Sequence, residues 1–116
     1  MTTSAYLAGE LAKWPTMSQM ASLLQSAGLR VYVGRYSIRI DNFSHFIFQE
    51  YGGDLGDPQI EADADDVETL AVEAKRVSDI FTNAGIVHRF EIYQEGLEEI
   101  TYYFHHSWPR FNAPSA

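Results

Sequence analysis

The spacing of apolar positions changes several times along the chain, and each change marks an element. Met17, Met20, Ala21, Leu24 and Ala27 recur at helical spacing on one face. Thr16 stands before them as an N-cap, and Gln19 three residues on completes a capping box. Gly28 is placed to end the helix in a left-handed cap. A longer helix is predicted from Val67, Leu70, Ala74, Val77, Phe81 and Ala84, whose spacing gives one continuous apolar stripe. Asp63 or Asp65 can cap it, Asp66 and Glu68 suit its positive end, and Gly85 closes it.

From Leu29 the period falls to two. Leu29, Val31 and Val33 alternate with Arg30 and Tyr32, and after Gly34-Arg35 the parity shifts to Tyr36, Ile38 and Ile40. A two-residue type II′ turn with Gly34 first explains the shift. It sets Val33 against Tyr36, Val31 against Ile38 and Leu29 against Ile40. A three-residue loop ending at Phe43 then opposes Ile38 to Phe46 and Tyr36 to Phe48, and puts Arg39 opposite His45. Two more strands follow, from Ile86, His88, Phe90 and Ile92 and from Ile100, Tyr102 and Phe104. A loop centred on Gly96 opposes Ile92 to Ile100 and Phe90 to Tyr102. Residues 51–61 read as a loop by their Gly, Asp and Pro content. Residues 4–13 read as a short helix interrupted at Gly9, and residues 110–116 as a loose tail.

The predicted order is α-β-β-β-α-β-β in a single domain over residues 1–116. A sheet with one apolar face must take both helices on that face. The fold class is therefore α+β, a two-layer sandwich with a mostly antiparallel five-stranded sheet and two helices on one side.

Composition narrows the function. Eight Lys and Arg stand against sixteen Asp and Glu, a formal charge of −8, which disfavours nucleic acid and anionic membranes as partners and suits a basic protein. The absence of cysteine excludes disulfides and thiol chemistry. The opening Met1–Tyr6 has neither the basic nor the apolar stretch of a secretion signal, so a cytoplasmic location is expected.

Two surfaces are candidate sites. The uncovered sheet face should display Arg30, Tyr32, Arg39, His45, Arg89, Glu91, Tyr103 and His105. Arginine forks beside Tyr and His suit an anionic ligand or a protein interface. The segment from Glu50 to Ala74 holds nine carboxylates and no basic residue. Within it, Asp54, Asp57, Glu61, Asp63, Asp65 and Asp66 form a candidate docking patch for a cationic partner. Its spacing does not match an EF-hand, and the glycines at 52, 53 and 56 lack the ending of a phosphate loop.

The four histidines form no metal motif, and His105 and His106 must point to opposite faces. His88 falls on the apolar side, as a hydrogen-bonded core or edge histidine. No catalytic or cofactor motif is present. In size and charge alone the chain is similar to small acidic bacterial inhibitor and immunity proteins. The expected function is a non-catalytic inhibitor, immunity-like protein or adaptor for a basic partner. A small ligand-binding domain or enzyme using the open face for an anionic substrate is the alternative. A homodimer that buries that face is a third arrangement.

Overall fold

The computed structural model describes residues 4–51 and 58–108. Both helices form where the apolar periodicity puts them. Helix α1 spans Met17–Ser26 and α2 spans Val67–Asn83. The Thr16–Gln19 capping box is complete, with both reciprocal bonds present. Gly28 and Gly85 take positive φ just beyond the helix ends, where a side chain would be strained. Asp66, not Asp63 or Asp65, caps α2: its carboxylate accepts from the Thr69 N–H at 2.7 Å. The bonds from Thr69 hold the Asp66 carboxyl below its ordinary range.

Among the described residues, seven strands form one antiparallel sheet: β1 (Ala5–Leu11), β2 (Val31–Val33), β3 (Ser37–Ile40), β4 (Phe46–Gln49), β5 (Gln59–Ala64), β6 (His88–Gln94) and β7 (Ile100–His106), in the spatial order β2-β3-β4-β5-β1-β6-β7. The sheet exceeds the expected five strands because two further segments pair into it. Residues 5–11 form β1, not a helix, and residues 59–64 form β5, not loop. In both, an alternation is present but weak, since inward positions carry Ala5, Leu7, Gly9 and Leu11 on β1 and Ile60, Ala62 and Ala64 on β5. Alanine and glycine are poor strand formers alone, and tertiary packing decides here.

Those small residues make the core possible. β4 and β6 are three strand spacings apart, about 14 Å. Even so, Phe46 and Phe90 meet at 6.2 Å between ring centroids, above the low floor of the two central strands. Phe48 and Phe81 join them, each fully buried. Gly9 lies directly opposite Phe90, and a Cβ there would stand 2.8 Å from the Phe90 ring. Met20, Ala21 and Leu24 of α1 and the Val67–Phe81 stripe of α2 close over the same cluster, so both helices share one face.

Hairpin registers differ from expectation by two residues each. Val31 pairs with Ile40 and Val33 with Ile38; Ile38 pairs with Phe48; Phe90 pairs with Phe104 and Ile92 with Tyr102. Arg39 consequently faces Ile47 rather than His45. Gly34 does not take positive φ, so no type II′ turn forms; its N–H closes a wider loop onto the Ser37 carbonyl. The 41–45 loop lengthens because Phe43 packs on Phe46 and Ser44 is tied to Glu73 of α2. A bulge between Ile92 and Tyr93 resets the last hairpin, whose loop contains Gly96 at positive φ. A two-residue slip preserves parity, so each strand keeps its apolar set on the same face, although Val33, Tyr36, Ile100 and Tyr102 near the sheet edges stay exposed.

Two aromatic anchors tie the chain around this core. Trp14 packs edge-on against Phe48 and Tyr51. The Tyr51 hydroxyl donates to the Pro15 carbonyl, and burial pushes its pKa up to about 12. On β6, His88 is fully buried. Its Nε2 bonds Ser78 Oγ at 2.7 Å and its Nδ1 donates to the Ile86 carbonyl at 2.9 Å.

Two predictions follow from this packing. Gly9→Val forces a branched side chain into the Phe90 ring and should cost about 1–3 kcal/mol by urea unfolding. Ala8→Val, on the exposed side of the same strand, should change little; equal effects would disprove the close approach. The buried Ser78–His88 pair should be acid-sensitive. Burial depresses the His88 pKa below 6.5, with His106 and His105 adding to the effect. Its stability contribution is therefore complete above pH 6.5 and is lost as pH falls towards the folded value. Thermal unfolding from pH 8 to 5 should show a steeper loss in the parent than in Ser78→Ala/His88→Phe, which replaces both polar partners at once.

Candidate functional site on the open sheet face

Outward positions alternate with inward ones along the strands, and neither α1 nor α2 covers the outward face. The face carries Tyr32 on β2, Arg39 on β3, Glu61 and Asp63 on β5, Tyr6 and Glu10 on β1, Arg89, Glu91 and Tyr93 on β6, and Tyr103 and His105 on β7. His45, at the end of the 41–45 loop, joins them beside β5. Of the expected residues, all but Arg30, which precedes β2, lie on this face, and the structure sorts them into separate groups.

Towards one edge, Arg39 pairs across the strands with Tyr32, and its guanidinium stacks on that ring at 5.6 Å. The same guanidinium bonds Asp41 at 3.2 Å. Arg30 precedes β2 and is exposed; its backbone N–H is held by the Asn42 side chain at 3.2 Å.

Towards the other edge, Arg89 is the hub of a network. It pairs across the strands with Glu10, to which it donates from Nε at 2.7 Å, and bonds Glu91 at 2.7 Å. The Trp108 ring lies under its guanidinium at 5.3 Å. Burial alone would lower the Arg89 pKa, but Glu10 and Glu91 outweigh it and hold the group charged. Glu91 also accepts from the Tyr93 hydroxyl at 3.0 Å, and Tyr93 stacks on Tyr6 at 5.3 Å. Tyr103 and His105 stack on each other at 4.9 Å.

Arg39 and Arg89 therefore stand four strand spacings apart, about 19 Å, and each is already bonded to carboxylates. They do not converge on one small anion. His45 and His105 are separated by the same number of strands.

The acidic segment is divided too. Asp54 and Asp57 lie outside the described residues. Asp65 is exposed at the turn before α2, and Asp66 is committed to the helix cap. Glu73 faces the other way: its Oε2 accepts from the Ser44 N–H and Oγ, and burial pushes its pKa up against those bonds. Glu61 and Asp63 alternate with buried Ala62 and Ala64 on β5, so both carboxylates emerge on the open face. There they meet His45, whose Nε2 lies 3.5 Å from Glu61 Oε2. One donor atom from each of His45, Glu61 and Asp63 can be chosen so that all lie within 4.8 Å of one another.

Sequence spacing missed this constellation, because a segment read as loop up to Glu61 gives no face to its carboxylates. The signal available was the alternation of Ile60, Ala62 and Ala64 with Glu61 and Asp63. Comparison of the chain with family models, curated proteins and solved structures returned no match. No helix among the described residues is long and apolar enough to cross a membrane.

The two arginines should separate in unfolding experiments. Arg89 and Glu91 side chains are 26% and 16% exposed, whereas Arg39 and Asp41 are 51% and 34% exposed. Exposed pairs contribute little and shielded networks more, so Arg89→Gln should cost about 1–2 kcal/mol and Arg39→Gln under about 0.5. Equal costs in urea titrations would contradict the shielding difference.

Proposed function

We propose that this protein is a non-catalytic binding protein of the cytoplasm, an inhibitor or adaptor that docks on a basic protein through its open sheet face. The observation that carries this reading is the charge arrangement on that face. The guanidiniums of Arg39 and Arg89 are held by carboxylates of the same chain. Glu61 and Asp63 have no Arg or Lys bonded to them among the described residues, and Tyr6, paired opposite Asp63, is half exposed. Carboxylates that no cation of the described residues neutralises by an Arg or Lys bond, beside an exposed tyrosine, suit lysine and arginine side chains of a partner, and the chain's −8 charge would speed their encounter. An anionic substrate gripped by both arginines is less well supported, since they lie too far apart and are already engaged.

The test begins with a partner captured from the native cytoplasm and identified, then purified with this chain. Affinity should fall steeply with added salt. The double reversal Glu61→Lys/Asp63→Lys should weaken binding at least about tenfold, roughly 1.4 kcal/mol. Asp79→Lys, on the helical layer, should leave it near the parental value. An intact affinity in the double reversal would remove the docking surface from this face.

A further inference from the structure

We propose that His45, Glu61 and Asp63 form a binding site for one divalent transition-metal ion of the zinc class. The proposal stands on side-chain geometry and does not depend on the docking reading.

The backbone brings the three together. The Asp63 N–H donates to the His45 carbonyl at 3.1 Å, which fixes the end of the 41–45 loop beside β5. Glu61 and Asp63 are two residues apart on that strand and so point to the same side. Two ligands of a tetrahedral ion, each about 2.0–2.1 Å from it, lie about 3.4 Å apart. His45 Nε2 and Glu61 Oε2 already stand at 3.5 Å. Asp63 is within 4.8 Å and exposed, so rotation of its side chain can complete the set.

A neighbouring group orients one ligand, and another contact braces the loop that carries a second. Gln49 Nε2 donates to Glu61 Oε1 at 2.8 Å and leaves Oε2 facing His45. Such outer bonds orient metal ligands and strengthen them. Ser44, next to His45, is held through both its N–H and its hydroxyl by Glu73 of α2, which braces the loop from the other layer.

The donor set selects the ion. One imidazole and two carboxylates match the charge of a divalent cation and suit zinc, cobalt or nickel. Magnesium and calcium prefer all-oxygen shells with more ligands than three side chains supply. The face is open to solvent, so water would complete the coordination. Without an ion the Glu61 and Asp63 carboxylates stand as like charges on one patch of the face, whereas a divalent ion uses both together with His45.

Calorimetric titration of the full chain, stripped of metal, with zinc chloride tests the proposal, with magnesium chloride as the comparison. One Zn²⁺ per chain is expected, with far weaker binding of Mg²⁺. His45→Ala, Glu61→Gln and Asp63→Asn should each raise Kd at least tenfold, while His105→Ala on the same face should leave it unchanged. Circular dichroism melts of each variant separate lost ligands from lost fold. The histidine ring signals of the parent in ¹H–¹⁵N spectra should shift for His45 and not for His105. Absence of a 1:1 isotherm, or equal weakening by His105→Ala, would overturn the site. The titration uses no partner, so it can fail or succeed separately from the docking test. If both hold, saturating Zn²⁺ should compete with the basic partner.

Discussion

Everything in this fold depends on room above the two central strands. Gly9, Ala5, Ala62 and Ala64 keep the floor of the sheet low between β4 and β6. Phenylalanines from strands about 14 Å apart can then touch, and Phe81 of α2 can descend among them. Interiors pack at crystal-like density, so bulk gained at one level must be matched by space at another. A side chain at Gly9 would instead collide with the Phe90 ring. The weakest strand formers in the sheet are thus the ones its core requires.

The same arrangement explains why the far side is solvated. With both helices drawn onto the low floor, the strands present a face that neither helix covers, and alternation sends polar residues there. Antiparallel sheets commonly keep one face wet in this way. What that face can do is set by cross-strand neighbours rather than by composition. Arg89 finds Glu10 from a strand 79 residues away in sequence, and their bond removes a cation that a ligand could have used. Arg39 is likewise occupied by Asp41. The carboxylates of β5 stand differently, beside an imidazole and a tyrosine. Cationic side chains and a divalent ion are two forms of the same demand for positive charge at one place.

Glu73 and His88 show burial acting on opposite sides of neutrality. Glu73 is held through Oε2 by Ser44 and His88 by Ser78 of α2 and the Ile86 carbonyl, and in each burial disfavours the charged form. For Glu73 this means that ionisation works against the folded state, so its contribution becomes more favourable as pH falls towards the ordinary carboxylate value of 4.5. For His88 the sign is reversed, and acid works against the fold. Both residues serve packing: one braces the loop that carries His45, the other links α2 to β6.

The sequence by itself determined both helices, the capping box, the glycine stops and the inward parity of five strands, because those features depend on neighbours within a turn or two. It also placed His88 in the core and the arginines on the outer face. It did not determine register, since a slip of two residues leaves every apolar side chain on the correct side and only loop packing, such as Phe43 on Phe46, chooses between them. It did not reveal β1 or β5, whose Ala and Gly positions carry little intrinsic strand preference and acquire meaning only beneath α2. Strand order came from tertiary structure as well. That order separates Arg39 from Arg89 and joins His45 to Glu61 and Asp63, because charges distant along the chain meet only where packing sets their strands side by side.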